Sequence, residues 1–274
     1  MKKRLSAIIL VLIFFIGVSL IIYPTAANYW NRRTQSRVIS RYEETLQSMD
    51  RMDFSDVFAA ADEYNLKLAE LTEPFSTFDE VAGYEDLLNV GGSGVMGYIT
   101  IDKINVELPI YHGTSAEVLN SAAGHLEGSS LPAGGPGTHS VFSAHRGLPS
   151  AKLFTHLDKL EEGDVFTLTI LNRVLTYEVD RIRIVLPHEI EGLLPVEGKD
   201  YCTLFTCTPY GINTHRLMIR GVRIETAAPK PLIYVANEAY RINPVIVTPV
   251  IAVPMLLVLL IILLAKYRTR GKRR

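Results

Sequence analysis

The sequence is poor in cysteine, with two in 274 residues, and it carries almost no net charge, with 28 basic and 29 acidic side chains. So few cysteines exclude a scaffold held together by disulfides. A net charge of −1 provides no general basis for binding nucleic acid. The sequence also lacks a phosphate-binding glycine loop, a nucleotide fingerprint and a cluster of metal-ligating residues. We therefore expect no cofactor and no nucleic-acid partner.

The charge that is present is unevenly distributed. Residues 1–23 carry three basic side chains and no acidic one, and residues 266–274 carry six and none. The stretch between them holds the other 19 basic residues against all 29 acidic ones, a net charge of −10. This composition indicates a soluble, self-repelling body with a basic segment at each end.

Each basic end lies beside an apolar run, at residues 6–23 and 244–265. A helix that crosses a bilayer needs about 20 mostly apolar residues, so both runs are candidates for membrane helices. Basic flanks stay in the cytoplasm, which places both ends inside and residues 28–243 outside. The first run also fits a cleaved signal peptide. A pair of helices buried in a soluble core is a third interpretation, although runs this long with basic flanks are rare there.

The outer part begins with a helical pattern and then changes. Val57, Ala61, Tyr64 and Leu68 recur at helical spacing, with a start signal at Ser55. The polar stretch 31–52 before them reads as a stalk. Residues 72–77 break the pattern at Pro74.

From residue 97 the period changes to two, which is typical of half-buried strands. Alternating or apolar segments predict seven or eight strands, with a hairpin that joins residues 165–170 to 174–179. A capping box at residues 114–117 predicts a short helix that runs to about Ala123. This mainly β pattern with few helices indicates a closed barrel or a sandwich.

The reactive residue types are densest around Cys207, at the end of a predicted strand. The following residues 208–215 form a Pro/Gly loop, and Arg216 opens the next strand. If that loop is a hairpin-like return, Cys207 and Arg216 become neighbours. A thiol beside a fixed cation ionises more readily, and a thiolate near a histidine is the basic unit of acyl-transfer catalysis.

Two plainer interpretations of Cys207 stay open, an inert buried thiol and a disulfide to Cys202. Strand parity argues against the disulfide, because residues five apart point to opposite faces. Their Cα atoms would lie roughly 16 Å apart at about 3.3 Å per residue, whereas a bridge needs less than about 7 Å. A zinc site formed by Cys202, Cys207 and His215 fails for the same reason and lacks a fourth ligand. We assign Cys202 to the core.

Among seven histidines, His145 is the candidate base, because it ends an apolar strand and opens a loop at the predicted rim of the barrel. His215 adjoins Arg216 but alternates to the other face of the strand. His112 and His125 flank the predicted short helix and read as structural.

Two of these segments resemble the signatures of the sortase family. Thr203-Leu204-Phe205-Thr206-Cys207 followed by Arg216 is similar to the TLxTC…R motif, and Ser143-Ala144-His145-Arg146-Gly147 is similar to the histidine segment. The resemblance covers about residues 95–225. It implies an eight-stranded β-barrel and a cysteine transpeptidase that cleaves the Thr–Gly bond of an LPXTG-type sorting signal. It makes Cys207 the nucleophile, His145 the general acid/base and Arg216 the group that stabilises the oxyanion and orients substrate.

The flanks resemble those of class C, the pilus-assembling sortases. That resemblance implies a pilin lysine as acceptor and an isopeptide-linked product. It also implies a lid with an Asp-Pro-aromatic motif, for which this chain has Glu73, Pro74 and Phe75. In that position Glu73 would pair with Arg216 and Phe75 would cover Cys207. The competing hypotheses are a non-catalytic membrane-tethered scaffold, a cysteine hydrolase, and a sortase that anchors proteins to the cell wall.

The resulting division places the catalytic barrel outside a Gram-positive cell and the C-terminal tail in the cytoplasm. The expected segments are a signal peptide or membrane anchor (1–27), a helical extension with the lid (28–94), the barrel (95–226), a linker (227–243), a transmembrane helix (244–265) and a basic tail (266–274). The expected partners are pilins or surface proteins that carry sorting signals.

Overall fold

The computed structural model describes residues 2–49, 52–226 and 252–262. It divides into two compact units, one formed by Met1–Trp30 with Pro231–Arg274 and the other by Asn31–Lys230. The linker predicted at 227–243, the tail at 266–274 and half of the run 244–265 lie outside the described residues. The part of that run that is described is the apolar helix Ala252–Ile262.

The second unit is built around a closed β-barrel, and the described residues contain eight strands. Their order in the barrel is β1-β2-β3-β4-β7-β8-β6-β5. The strands are β1 Val95–Ile101, β2 Val106–His112, β3 Ala123–His125, β4 Thr138–Ser143, β5 Val165–Ile170, β6 Arg173–Val185, β7 Asp200–Thr208 and β8 His215–Ile224. The predicted barrel is confirmed, and closure leaves no strand edge free to pair with another chain.

Most neighbouring strands are antiparallel, but β2–β3 and β4–β7 are parallel. The β5–β6 hairpin forms where predicted, with Leu171 at the turn in the left-handed region (φ 50°). The second hairpin strand, predicted at 174–179, continues to Val185, because a β-bulge between Val179 and Arg181 lets one strand bend around the barrel.

Within the described residues, three α-helices precede β1 and a fourth lies between β2 and β3. They are α1 Lys2–Ser48, α2 Ser55–Ala69, α3 Pro74–Thr77 and α4 Ala116–Leu119. The helix α4 is shorter than predicted. Ser115, not Thr114, caps it by accepting from the Val118 amide. Residues 123–125 leave the helix because they pair with β2 as the strand β3, so long-range pairing overrides the local capping signal.

The last turns of α1 pack on the barrel. Tyr42 is buried, and its hydroxyl donates to the Met96 carbonyl and accepts from the Leu171 amide, each at 2.8 Å. The Gln35 side chain donates to the Ser121 carbonyl at 2.8 Å. The segment predicted as a stalk therefore contacts the barrel through Gln35 and Tyr42 of its described residues 31–49.

The helix α2 buries the stripe that its spacing predicts, including Ala61, Tyr64 and Leu68. Asn65, on the same face, donates to the Leu131 carbonyl and accepts from the Leu131 amide at 3.1 and 2.7 Å. This reciprocal pair satisfies the buried backbone of the loop before β4. The helix thus fixes the chain that leads into the strand carrying the candidate base.

The α1 segment Ile8–Ser48 is long and apolar enough to cross a membrane, judged by length and composition, within the described residues. Pro24 lies inside this helix without ending it, as membrane helices tolerate. The described residues of the second apolar run form the helix Ala252–Ile262.

Candidate active site

The parallel pairing of β4 with β7 brings the candidate base beside the candidate nucleophile. Ser143 pairs with Phe205, and the Ala144 amide donates to the Phe205 carbonyl at 3.3 Å. His145 and Cys207 each follow these paired residues by two positions. Two chain segments that are 62 residues apart in sequence therefore end side by side.

The residues before and after His145 form hydrogen bonds with the residues before and after Cys207. The Thr206 hydroxyl donates to the Ala144 carbonyl at 2.7 Å. The Arg146 guanidinium donates to the Thr208 hydroxyl at 3.0 Å. Together these two contacts hold the His145 backbone against the Cys207 backbone, so both side chains emerge from one fixed junction.

The antiparallel pairing of β7 with β8 places Arg216 next to Cys207, because the two residues are register partners. The predicted return loop is tight, with the Ile212 and Asn213 amides both donating to the Pro209 carbonyl at 3.1 and 3.0 Å. The Arg216 guanidinium donates to the carbonyls of Asn213 and His215 at 3.2 and 3.1 Å. The structure therefore brings the three sequence-predicted residues to one rim of the barrel.

The two cysteines have opposite environments. Both are free, Cys202 is fully buried, and Cys207 is half-buried. Burial raises the pKa of Cys202 well above its usual range, so this thiol stays protonated and inert. Its assignment to the core is confirmed, and the parity argument against a Cys202–Cys207 bridge holds. Among the described residues no group of three or more His, Cys, Asp or Glu side chains is arranged to hold a metal.

Two other histidines, His125 and His112, are structural. His125 is fully buried, and burial lowers its pKa to about 4. Its ring contacts the Tyr84 hydroxyl at 2.9 Å and the Ser130 carbonyl at 2.9 Å. His112 contacts the Leu87 carbonyl at 2.8 Å. In contrast, His145 is half-buried at the rim, where a ring can face an incoming substrate.

An apolar surface on the outside of the barrel leads toward Cys207. We call it the outer apolar cluster, and it consists of Val141, Leu193 and Met218 with Phe75, Leu126, Val185 and Phe205 packed against them. Phe205 precedes Cys207 by two residues and therefore shares its strand face. Met218 follows Arg216 by two residues and shares its strand face in the same way. The cluster is thus continuous with the row that ends in the thiol and the guanidinium.

The segment predicted as a lid contributes to this cluster. Pro74 is buried at the first position of α3, and Phe75 packs against the outer apolar cluster. Glu73 is exposed and forms no ion pair with Arg216 among the described residues, so the expected Glu73–Arg216 contact is not formed. The longer glutamate side chain points to solvent, and the guanidinium is held by its own loop.

The lid segment approaches the barrel closely at Gly128. This glycine has φ +84°, and a Cβ built there would lie 2.5 Å from the Pro74 carbonyl oxygen and 2.6 Å from the Phe75 Cα. Only glycine leaves room for this contact. A cleft of about 220 Å³ lies alongside, lined on one side by Thr72 and Pro74 and on the other by Leu194 and Pro195.

Sequence reasoning missed the supporting residues. Thr206, Thr208 and Arg146 join the two catalytic segments, and His139 with Thr203 joins β4 to β7 further along, the ring contacting the hydroxyl at 2.7 Å. Two of the threonines stand in the run before Cys207. Buried hydroxyls in an otherwise apolar strand are a signal that partners exist, although the sequence does not identify them.

Comparisons with known proteins agree with this fold. A family model described as the sortase domain matches residues 99–224. Sortase C1 from Streptococcus agalactiae is 48% identical with a TM-score of 0.64, over 70% of this chain and 100% of that chain. Sortase C from Streptococcus pneumoniae is 44% identical with a TM-score of 0.61, over 71% of this chain and 100% of that chain, and its structure is reported to bear on pilin substrate specificity. Sortase D of Bacillus subtilis (strain 168) is 32% identical over 131 residues, and the aligned part spans 47% of this chain and 63% of that protein.

Proposed function

The chain belongs to the sortase family of cysteine transpeptidases and to its class C, and from this premise we propose that it polymerises pilin subunits through a thioester on Cys207. The observation that carries the assignment of residues is the strand pairing that sets His145 and Arg216 on either side of Cys207. The substrate class is a protein with an LPXTG-like sorting signal, and the acceptor is a pilin lysine.

In the first half-reaction, the Cys207 sulfur attacks the threonine carbonyl of the sorting signal while the thiol proton passes to His145. A C–S bond forms, and the carbonyl electron pair moves onto oxygen, where the Arg216 guanidinium donates hydrogen bonds to it. Collapse of this intermediate breaks the Thr–Gly C–N bond. His145 returns its proton to the leaving glycine amine, and a thioester remains on the enzyme.

In the second half-reaction, a lysine amine of another pilin attacks the thioester. The amine gives a proton to His145, a C–N bond forms, and the C–S bond breaks with the proton returning to the Cys207 sulfur. The product is an isopeptide bond, so repeated cycles join subunits into a polymer. Water in place of lysine would give hydrolysis, and a cell-wall amine would give anchoring.

We also propose that residues 72–77 form a lid whose closing contact is Phe75 on the outer apolar cluster. This packing supports the proposal because a peptide approaching Cys207 along the same strand face meets Phe75 first. Glu73 belongs to this segment but, among the described residues, forms no ion pair with Arg216. Pro74 starts the helical turn that presents the Phe75 ring. Opening the segment would act as a gate to the thiol.

For location, the apolar helix near the N-terminus suggests membrane anchoring. We propose that the barrel lies on the extracellular face of the membrane and that the basic C-terminal tail is cytoplasmic. This orientation follows from the basic flanks of both apolar runs, and it places the thiol where pilins emerge from the cell.

The test is the intact mass of the full chain after incubation with an LPXTG peptide. We expect a covalent adduct that disappears in Cys207→Ala and persists in Cys202→Ala, the matched control for the buried thiol. Adding a peptide with the acceptor lysine should then give a branched product. An adduct that survives Cys207→Ala, or no adduct in a lid-deleted chain, would contradict the proposal. Release of free acid alone despite added lysine would instead indicate a hydrolase.

A further inference from the structure

His139 lies in β4 with its side chain buried, and each ring nitrogen has one partner. Nδ1 lies 3.1 Å from the Leu194 carbonyl oxygen, and Nε2 lies 2.7 Å from the Thr203 hydroxyl. A carbonyl oxygen only accepts, so Nδ1 must carry the proton and donate. In the neutral ring Nε2 then accepts from the Thr203 hydroxyl. The partners thus determine one tautomer.

Burial keeps His139 in its neutral form. It lowers the pKa to about 4 and outweighs the hydrogen bond to the Leu194 carbonyl, which raises the pKa; of the nearby charges, Arg220 lowers it and Asp180 raises it. Arg220 and Asp180 form a bidentate ion pair with each other, with contacts of 3.0 and 2.6 Å. The ring of Tyr201 packs on the other side of the imidazole. The ring is therefore a neutral, fixed hydrogen-bond donor at any pH near neutrality.

The carbonyl that His139 holds belongs to the loop between β6 and β7, residues 186–199. Most of this loop is exposed, including 39% of Ile190 and 46% of Val196. At its end, the Lys199 carbonyl accepts from the Gly137 and Thr138 amides at 2.7 and 3.2 Å. Within residues 187–196 the other hydrogen bonds are short-range turns, such as the Leu193 amide to the Ile190 carbonyl. Among the described residues, the His139–Leu194 contact is the hydrogen bond that joins residues 187–196 to the barrel.

The residue beside that contact faces the route to the nucleophile. Leu193 is 1% exposed and belongs to the outer apolar cluster, where it packs with Val141 of β4 and Met218 of β8. This cluster runs on into the strand face that carries Cys207. A peptide that displaces Phe75 from the cluster would pack against Leu193 instead.

We propose that His139 is a positioning residue for the sorting-signal peptide. It fixes the β6–β7 loop, and with it Leu193, over the surface that leads to Cys207. The inference rests on the proposed function. His139 precedes His145 by six residues, roughly 20 Å along a strand at about 3.3 Å per residue. It therefore touches no reacting atom, and its loss should weaken peptide binding and leave the chemistry at Cys207 intact.

Two substitutions of similar size separate its two contacts. His139→Asn retains an amide N–H at the position of Nδ1 and so can still donate to the Leu194 carbonyl. His139→Gln reaches toward Thr203 instead and gives up the loop. We expect His139→Gln to raise KM for an LPXTG peptide about tenfold with kcat within twofold, the loss of about one good hydrogen bond, and His139→Asn to keep KM near the unaltered value.

Hydrogen exchange of residues 187–196 supplies a second readout that needs no activity. We expect these amides to exchange faster in His139→Gln than in His139→Asn, with β1 and β5 unchanged in both. Equal exchange in the two variants overturns the proposal whether or not the chain is a transpeptidase. A fall in kcat at constant KM overturns it as well.

If His139→Gln does not fold, Thr203→Val serves as the substitute. It leaves the ring and its Nδ1 proton in place and removes the hydroxyl that holds the other ring nitrogen, so the imidazole is no longer fixed in its orientation toward the Leu194 carbonyl. The same rise in KM with unchanged kcat is then expected, and an unchanged KM rejects the positioning role. Absence of any adduct in the unaltered chain would refute the proposed function. The hydrogen-exchange comparison would then still test whether His139 holds the β6–β7 loop.

Discussion

Gly128 is the residue whose substitution most directly tests the lid. An alanine Cβ there would lie 2.5 Å from the Pro74 carbonyl oxygen and 2.6 Å from the Phe75 Cα, both of which are backbone atoms. Overpacking of this kind costs about 1–3 kcal/mol. The cost falls on the closed lid alone, because the clash disappears when residues 72–77 move away. The closed-to-open equilibrium should therefore shift toward the open form by about 5- to 150-fold, at 1.4 kcal/mol per factor of ten.

The assay is the rate at which Cys207 reacts with a small methanethiosulfonate reagent, followed by intact mass. If the lid is closed most of the time and masks the thiol, Gly128→Ala should accelerate the reaction by a factor within that range. Deleting residues 72–77 should set its upper limit. Cys202 is buried and should not react while the barrel stays folded.

A matched control separates the clash from backbone strain. Gly137 has φ +85°, almost the same as Gly128, but a Cβ at Gly137 meets nothing within 4 Å. Gly137→Ala therefore carries the same strain of about 1–2 kcal/mol without touching the lid. Equal acceleration in both variants, or no acceleration in Gly128→Ala with an unchanged Tm, would refute the reasoning.

Three further predictions address the site and the fold. Arg216→Lys retains the charge but loses the planar donor fork, so kcat for thioester formation should fall about a hundredfold; near-normal turnover would show that charge alone suffices. Thr206→Val removes the hydrogen bond to the Ala144 carbonyl and should lower kcat about tenfold in peptide kinetics. The lost hydrogen bond should also lower Tm, and an unchanged kcat would show that Thr206 does not position the site. His125 and His139 resist protonation in the folded state until about pH 4, whereas the unfolded chain takes up these protons near pH 6.5. Stability is then full above pH 6.5 and falls as pH drops, by about 2 kcal/mol for each histidine at pH 5; urea titrations with equal midpoints at pH 7 and pH 5 would contradict this.

Much of the fold can be predicted from the sequence, because the relevant signals are local. Strand alternation located β5, β7 and the hairpin after β5 to within a few residues. The spacing of Ala61, Tyr64 and Leu68 located α2 and its buried face. Where long-range pairing competes with a local signal, prediction failed, as at Ala123, which the capping pattern assigned to a helix and which the pairing with β2 makes a strand.

The candidate site divides in the same way. Cys207, His145 and Arg216 can be named from their sequence motifs, and the adjacency of Cys207 and Arg216 follows from a hairpin-like return. The adjacency of His145 and Cys207 cannot be derived locally, since it depends on a parallel pair formed by segments 62 residues apart. The predicted Glu73–Arg216 ion pair is not formed, and the sequence could not show this, because the position of the lid segment relative to β8 depends on tertiary contacts such as the one at Gly128.

The sequence alone determined the candidate residues Cys207, His145 and Arg216, most of the strand segments, and that Cys202 and Cys207 point to opposite faces, because each depends on spacing or motif along one stretch of chain. Only the tertiary structure decided that α1 packs on the barrel through Tyr42, that Phe75 packs beside Leu193 above the strand face of Cys207, and that His139 holds the β6–β7 loop. These depend on the closure of the barrel, which brings distant side chains within bonding distance, and the free energy of such contacts is not encoded in any local pattern.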